Sequence, residues 1–207
     1  EWDVEGALDE LQRLELCEQA NAFPAVEYEF KNAFIQEVGY NGLLLRRRRQ
    51  LHGEIAETIE EQSAERIDEV SEVLAHHYEA ADRHEDAAYY LMLSGLKAKA
   101  AFANAEAVQF FGKALEELDA VPEGERLPER VKNARATCLS ALGDVCDLTG
   151  EYDAAIDALT TVAETADAPE DTASGWRRIG RILEKRGERA EAMSYYDRAV
   201  EALGDST

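Results

Sequence analysis

Two stretches of this sequence repeat one pattern, and that repetition limits the fold more than any other feature. GEYDAAIDAL at 150–159 parallels GERAEAMSYY at 187–196. Each opens on a glycine and then carries small or apolar residues at three- and four-residue steps: Ala155, Leu159 and Val162 in one, Ala192, Tyr196 and Ala199 in the other. The residues before each glycine keep the same period, with Leu139, Leu142, Gly143 and Cys146 ahead of Gly150, and Trp176, Ile179, Gly180 and Leu183 ahead of Gly187. Apolar positions spaced this way form one face of an α-helix, and a glycine just past the last of them ends it. Each copy therefore reads as two helices joined by a tight turn. A weaker copy lies upstream: Leu91, Gly95 and Ala98 lead to Ala107, Phe111 and Ala114, with Phe102 where the turn glycine would stand.

Gly143 and Gly180 are 37 residues apart, and Gly95 and Gly143 are 48 apart. Set against a helical-hairpin unit of about 34 residues, the surpluses fall in the proline-bearing stretches DAVPEGERLPE (119–129) and TADAPEDTAS (165–174). The larger surplus predicts an unusually long helix from about 128 to 149. Small residues at Gly95, Gly143, Gly180, Ala107, Ala155 and Ala192 let paired helices approach, and Phe111, Leu159 and Tyr196 are expected to fill the space toward the next hairpin. No such hairpin buries its apolar face alone, so neighbours must stack. The pattern resembles the tetratricopeptide repeat. Units are expected at about 88–121, 136–169 and 173–206, with a degenerate hairpin from about 69, in an array spanning 63–207. In VLAHHYEAADRHEDAAYYL (73–91) that extra hairpin shares its second helix with the first regular unit.

The N-terminal portion, 1–62, differs. Val4, Leu8, Leu11 and Leu14 mark a helix, and LELCEQANAFPAVEYEFK (14–31) holds two strand-like runs around Pro24. Helix, two-stranded wing and helix suggest the tail of a winged-helix unit. An amphipathic helix over about 43–61 follows, with Leu44, Leu51, Ile55 and Ile59 expected inward. The fold class is thus all-α: a tetratricopeptide-like helical-hairpin solenoid with a short β-hairpin near the N-terminus. The chain opens at Glu1-Trp2-Asp3, without an initiator methionine, directly into a helical pattern. It reads as a piece of a longer protein.

Residues 28–60 resemble the segment that follows the ATPase core in bacterial signalling ATPases of the STAND type, which are fused to class III adenylate or guanylate cyclases, Ser/Thr kinases or LuxR-type regulators. Phe30, Lys31, Gln36, Glu37, Tyr40, Leu43, Leu44, Arg48 or Arg49, Leu51, His52, Ile55 and Ala56 carry the resemblance, and Leu74, Ala75, His77 and Tyr78 match the helix that comes next. Asn32 stands where that family has histidine. The ATPase core itself is absent, since no Gly-x-x-x-x-Gly-Lys-Ser/Thr loop occurs. What the resemblance implies is a non-catalytic regulatory module of a larger signalling protein.

Charge narrows the partners. The formal net charge is −22, from 44 acidic and 22 basic residues, and such a surface repels nucleic-acid phosphates and anionic membranes. So acidic a chain fits a salt-adapted protein and an acidic mesophilic one alike. Cys17, Cys138 and Cys146 are too few and too odd in number for a disulfide framework; they read as small core residues of a cytoplasmic protein. No run reaches the roughly 18 apolar residues of a membrane span. His76, His77 and His84 cluster in sequence, but two adjacent helical histidines point about 100° apart, so packing and surface roles are expected rather than zinc. Arg46–Arg49 wrap around a helix as a solvated run. No carboxylate pair or activated nucleophile stands out, so no catalytic residue, metal or cofactor is assigned. Of the aromatic pairs Tyr89–Tyr90, Phe110–Phe111 and Tyr195–Tyr196, one member each is expected in the core.

In the tetratricopeptide architecture the first helix of each hairpin lines a concave groove. The resemblance places there Tyr89, Met92, Leu96 and Lys99, then Thr137, Ser140, Asp144 and Asp147, then Ser174, Arg177, Arg181 and Glu184. That groove would run from apolar through acidic to basic, which suits a mixed-charge peptide or helix, or the chain's own linked ATPase or cyclase domains. The alternative function is structural: a self-association module forming homo-oligomers.

Overall fold

The computed structural model describes residues 3–21, 26–122, 124 and 127–204. Residues 1, 2, 22–25, 123, 125, 126 and 205–207 lie outside them, and the loop expected around Pro24 falls among these. The chain divides into two compact units, Glu1–Leu51 and His52–Thr207.

In the first unit, α1 (Val4–Arg13) starts where the Asp3 carboxylate accepts a hydrogen bond from the Gly6 amide at 2.9 Å. Strands β1 (Cys17–Asn21) and β2 (Glu27–Phe30) pair antiparallel, with Cys17 opposite Phe30 and Gln19 opposite Tyr28. This is the expected β-hairpin. Helix α2 (Ala33–Gly42) is capped by Asn32, whose side chain accepts from the Ile35 amide at 3.0 Å. An asparagine at that position thus does the work of an N-cap. Among the described residues of this unit only Cys17 is buried.

Helix α3 (Leu45–Gln62) runs from the first unit into the second. Its buried residues are Gly53 and Ala56, whereas Leu44 and Ile55 are exposed. The expected inward stripe is therefore wrong in part. Small residues let α3 come close to the helix that follows: a Cβ built on Gly53 would lie 3.8 Å from the Ala81 Cβ. A face led by Leu44 and Ile55 would hold the two apart.

A single 3-10 turn (Ala64–Arg66) leads into α4 (Ile67–Ala80), α5 (His84–Ala100), α6 (Asn104–Ala120), α7 (Ala134–Thr149), α8 (Tyr152–Thr165), α9 (Pro169–Arg186) and α10 (Arg189–Gly204). Each packs on the next, and α5 also touches α7. The hairpin turns α4–α5, α5–α6, α7–α8 and α9–α10 follow one scheme. A residue with positive φ ends the first helix (Asp82, Phe102, Gly150, Gly187), and the next amide donates to the carbonyl five residues back: Arg83 to Tyr78, Ala103 to Ala98, Glu151 to Cys146, Glu188 to Leu183, at 2.8–3.0 Å. This closes the helix ends and reverses the chain in the two or three residues between helices.

The small–large pairing works within each hairpin. A Cβ on Gly95 would lie 2.6 Å from the Phe111 ring, one on Gly143 2.8 Å from Leu159, and one on Gly180 2.5 Å from the Tyr196 ring. Each large residue of a second helix is thus seated on the glycine of its own first helix. Between α8 and α9 the contact is small on small, with Gly175 against Ala163.

The surplus before α7 is not helix. Helix α7 has 16 residues, and the preceding residues form turns that carry fully buried Val131. Arg130 fixes them. Its guanidinium donates to Glu60 at 2.8 Å and to Asp86, and lies over the Tyr89 ring 5.1 Å from its centre. Cys138 and Cys146 are core residues as expected; burial pushes the Cys138 thiol up to about 12.

Candidate partner-binding groove

First helices α5, α7 and α9 supply one polar relay. Asp144 on α7 accepts from Lys99 Nζ on α5 at 2.6 Å and from Arg178 on α9. Arg178 also donates to Ser140 on α7, through Nη1 to the hydroxyl at 2.7 Å and through Nη2 to the carbonyl at 2.8 Å. Two cations and one carboxylate leave this relay with an excess positive charge in a chain of net charge −22. A cleft of about 730 Å³ opens beside it, walled by Lys99, Thr137, Ser140, Asp144, Ser174 and Arg178 and by the α8–α9 connection at Thr165–Ala168.

Five of the twelve groove positions read from the sequence meet at this cleft: Lys99, Thr137, Ser140, Asp144 and Ser174. The others part from it. Met92 is buried, and Tyr89 and Leu96 pack half-buried against the same core cluster, so the expected apolar end of the groove is closed. Tyr89 in addition lies beneath Arg130. Asp147 is held by Lys185 at 2.6 Å, and Glu184 accepts from the Tyr196 hydroxyl at 2.9 Å. Arg177 faces a second, apolar cleft beside α10, and Arg181 is exposed on α9.

Arg178 is the residue the sequence reading missed. Repeat positions pointed to its neighbour Arg177, and a one-residue step on a helix turns a side chain by about 100°. A second unforeseen network joins α3 to the hairpins. Tyr78 donates to Glu60 at 2.5 Å, and Arg83 links Glu57 at 2.5 Å to Asp86 at 2.7 Å. Burial pushes Glu60 upward, but hydrogen bonds from Tyr78, Arg130 and Tyr90 outweigh it and hold the carboxyl below the ordinary carboxylate range.

The histidines are spread over two places. Nδ1 of His52 lies 2.9 Å from Nδ1 of His77, with the His76 ring beside both, while His84 pairs with Glu117 at 2.7 Å. Burial, then the nearby His52 and His76, push His77 below the usual imidazole range. Among the described residues no three His, Cys, Asp or Glu side chains converge as a metal site. No helix among them is long and apolar enough to cross a membrane.

Residues 137–173 and 176–206 match the tetratricopeptide repeat family. These stretches cover most of α7–α8 and of α9–α10. No curated protein matches the chain. The fold is the all-α helical-hairpin solenoid of that repeat, with a short antiparallel β-hairpin near the N-terminus. Repeats of this kind are non-catalytic and generally mediate protein–protein interaction.

Proposed function

We propose that the repeat array, read as residues 63–207, binds a partner peptide or helix in the cleft along α7 and α9, and so acts as the regulatory interaction module of a larger cytoplasmic signalling protein. The observation that carries this is the Lys99–Asp144–Arg178 relay at the cleft wall. Its groups are held by one another yet partly exposed, and Thr137 and Ser174 stand beside them on the same wall. A bound chain can exchange one hydrogen bond at a time there, with no buried charge left bare. The segment from Phe30 to Ala56 and the Leu74–Tyr78 helix support a STAND-type parent, with residues 1–62 as its winged-helix tail.

The second reading is self-association. It rests on the first unit, where Phe34, Val38 and Leu44 are exposed. A photo-crosslinking residue at Thr137 or Ser174, with Lys113 as the control position, separates the two. A hetero-adduct at 137 and 174 that weakens in Lys99→Glu, which reverses one charge of the relay, supports groove binding. Adducts only between copies of the chain support the structural reading instead.

A further inference from the structure

Helix α3 is held to the repeats by polar groups more than by a core. Of its 18 residues only Gly53 and Ala56 are buried, against nine of the 17 in α5. What residues 52–62 offer to α4 and the elements beyond it is imidazole and carboxylate. His52 meets His77, Glu57 accepts from Arg83 at 2.5 Å, and Glu60 accepts from Tyr78 at 2.5 Å and from Arg130 at 2.8 Å. An element with so little buried apolar surface opens at a lower free energy than the enclosed helices. Its seat begins at three histidines. Nδ1 of His52 on α3 lies 2.9 Å from Nδ1 of His77 on α4, with the two rings 5.1 Å apart. The His76 ring is 6.0 Å from the first and 5.4 Å from the second.

That geometry limits how many protons the group can hold. A hydrogen bond between two ring nitrogens needs one to carry N–H and the other a lone pair. It survives with both rings neutral, or with one of them charged. A further proton on the accepting nitrogen turns two N–H groups head to head and sets two imidazolium charges against each other beside a third ring. Among the described residues the charged neighbours that act on His77 are His52 from α3 and His76 from α4 itself, both cations when protonated. The carboxylates that flank the histidines on α4 are held elsewhere, Glu72 by Lys97 of α5 at 3.0 Å and Glu79 by Lys113 of α6 at 3.7 Å. On α3, Glu57 and Glu60 serve Arg83, Tyr78 and Arg130, and Glu54 is turned about 200° around the helix from His52. Arg48 and Arg49, one turn before His52, are cations. Burial and the two neighbouring imidazoles accordingly hold His77 below its ordinary value. Helix α4 is anchored by Leu74, Ala75 and Tyr78 in the core, so it is α3 that gives way. We propose that His52, His76 and His77 form a proton-operated latch: protonation frees residues 52–58 of α3 from α4 while the hairpins beyond stay folded, and Glu60 keeps the last turn of α3 in place until it is protonated in turn. Both units share α3, so the latch sets how firmly the shared helix is held to the repeats. It has no residue in common with the Lys99–Asp144–Arg178 cleft and does not depend on the reading of that cleft.

Amide hydrogen exchange on the full chain tests this at about pH 7.5 and about pH 5.5, on either side of the ordinary imidazole range. The rates are expressed as protection factors, so that the intrinsic pH dependence of exchange drops out. His77 binds a proton more weakly when α3 is docked, so docking is complete above about pH 6.5 and is lost as the pH falls below it. Protection over 52–58 is expected to fall by about ten-fold or more at the lower pH, the effect of one unit of proton affinity, with α5 and α7 unchanged. His77→Gln keeps a neutral hydrogen-bonding side chain and should give equal protection over 52–58 at both pH values. His52→Gln, on the thinly seated helix, makes the same test from the other side and serves where the first variant does not fold. Protection over 52–58 that is the same at both pH values in the unsubstituted chain overturns the latch. So does an equal fall across α5, which would be loosening of the whole array, or a pH dependence that a folded variant retains.

Discussion

The first unit and the repeats are both built from amphipathic helices, yet they treat their apolar residues in opposite ways. In the repeats Leu74, Tyr78, Phe111, Leu159 and Ile179 are fully or almost fully enclosed. In the first unit the large apolar residues of α1 and α2 remain at least partly exposed, and only Cys17 is buried among its described residues. The difference teaches what a repeat contributes. A stripe at helical spacing is only an offer of surface. In His52–Thr207 the next hairpin takes up that offer, and among the described residues of Glu1–Leu51 no second layer of helices does.

Core truncation should break the symmetry between the units most strongly. Phe111→Ala removes a fully buried ring seated on Gly95 and should cost about 3–5 kcal/mol. Phe34→Ala, on α2, should stay within about 0.5 kcal/mol. Chemical denaturation of the full chain reads both. An equal loss from the two would show that Phe34 is as enclosed as Phe111 in solution.

A glycine pair sharpens the contrast at smaller scale. Gly143→Ala places a methyl group 2.8 Å from Leu159 Cγ and should destabilise by about 1–3 kcal/mol through overpacking. Gly39→Ala meets no atom within 4 Å and lies inside helix α2, so it should stabilise by about 0.5–1 kcal/mol. Opposite signs for one chemical change would show that Gly143 marks a close approach of helices and Gly39 does not.

Acid should act in two stages, both within His52–Thr207. His77 is held below its ordinary value of 6.5, so the unfolded chain binds the proton more readily. That stability is complete above about pH 6.5 and declines as the pH falls below it. Glu60 is held below 4.5, so its contribution is complete above that value and is lost as the pH drops further. Melting temperature against pH should fall in both ranges. His77→Gln should flatten the upper range alone, and a profile unchanged by that substitution would remove His77 from the account.

The sequence made the hairpin fold legible because period, turn glycine and small–large pairing agree at each level: Gly150 and Gly187 end α7 and α9, and the Gly143 and Gly180 pairings hold. It misled where identical spacing served different neighbours. Leu44 and Ile55 make a good stripe on paper, but Gly53 and Ala56 make the closer contact. Tyr195 and Tyr196 were expected to split into one core and one outer residue, as Tyr89–Tyr90 and Phe110–Phe111 do, but both are half-buried. The groove was legible as a set of helices but not as a set of residues. Whether Met92 or Lys99 meets solvent depends on what packs over α5, and Arg130, which covers Tyr89, comes from 41 positions away in a stretch that spacing alone assigned to helix.

The smallest expected effect concerns a turn. Phe102 closes α5 in the left-handed region at φ 60°, where Gly150 and Gly187 close α7 and α9 at 85° and 86°. A side chain in that region crowds its own carbonyl, at a cost of about 1–2 kcal/mol that glycine escapes. Its ring recovers little, being 80% exposed. Phe102→Gly should therefore stabilise the chain, but glycine also frees the unfolded state, which takes back up to about 1 kcal/mol. A net gain of about 0.5–1 kcal/mol is expected, read as a higher denaturation midpoint with an unchanged slope. A loss of stability instead would mean that the Phe102 ring has a partner in solution, and the turn of the first regular repeat would then be a surface built for contact.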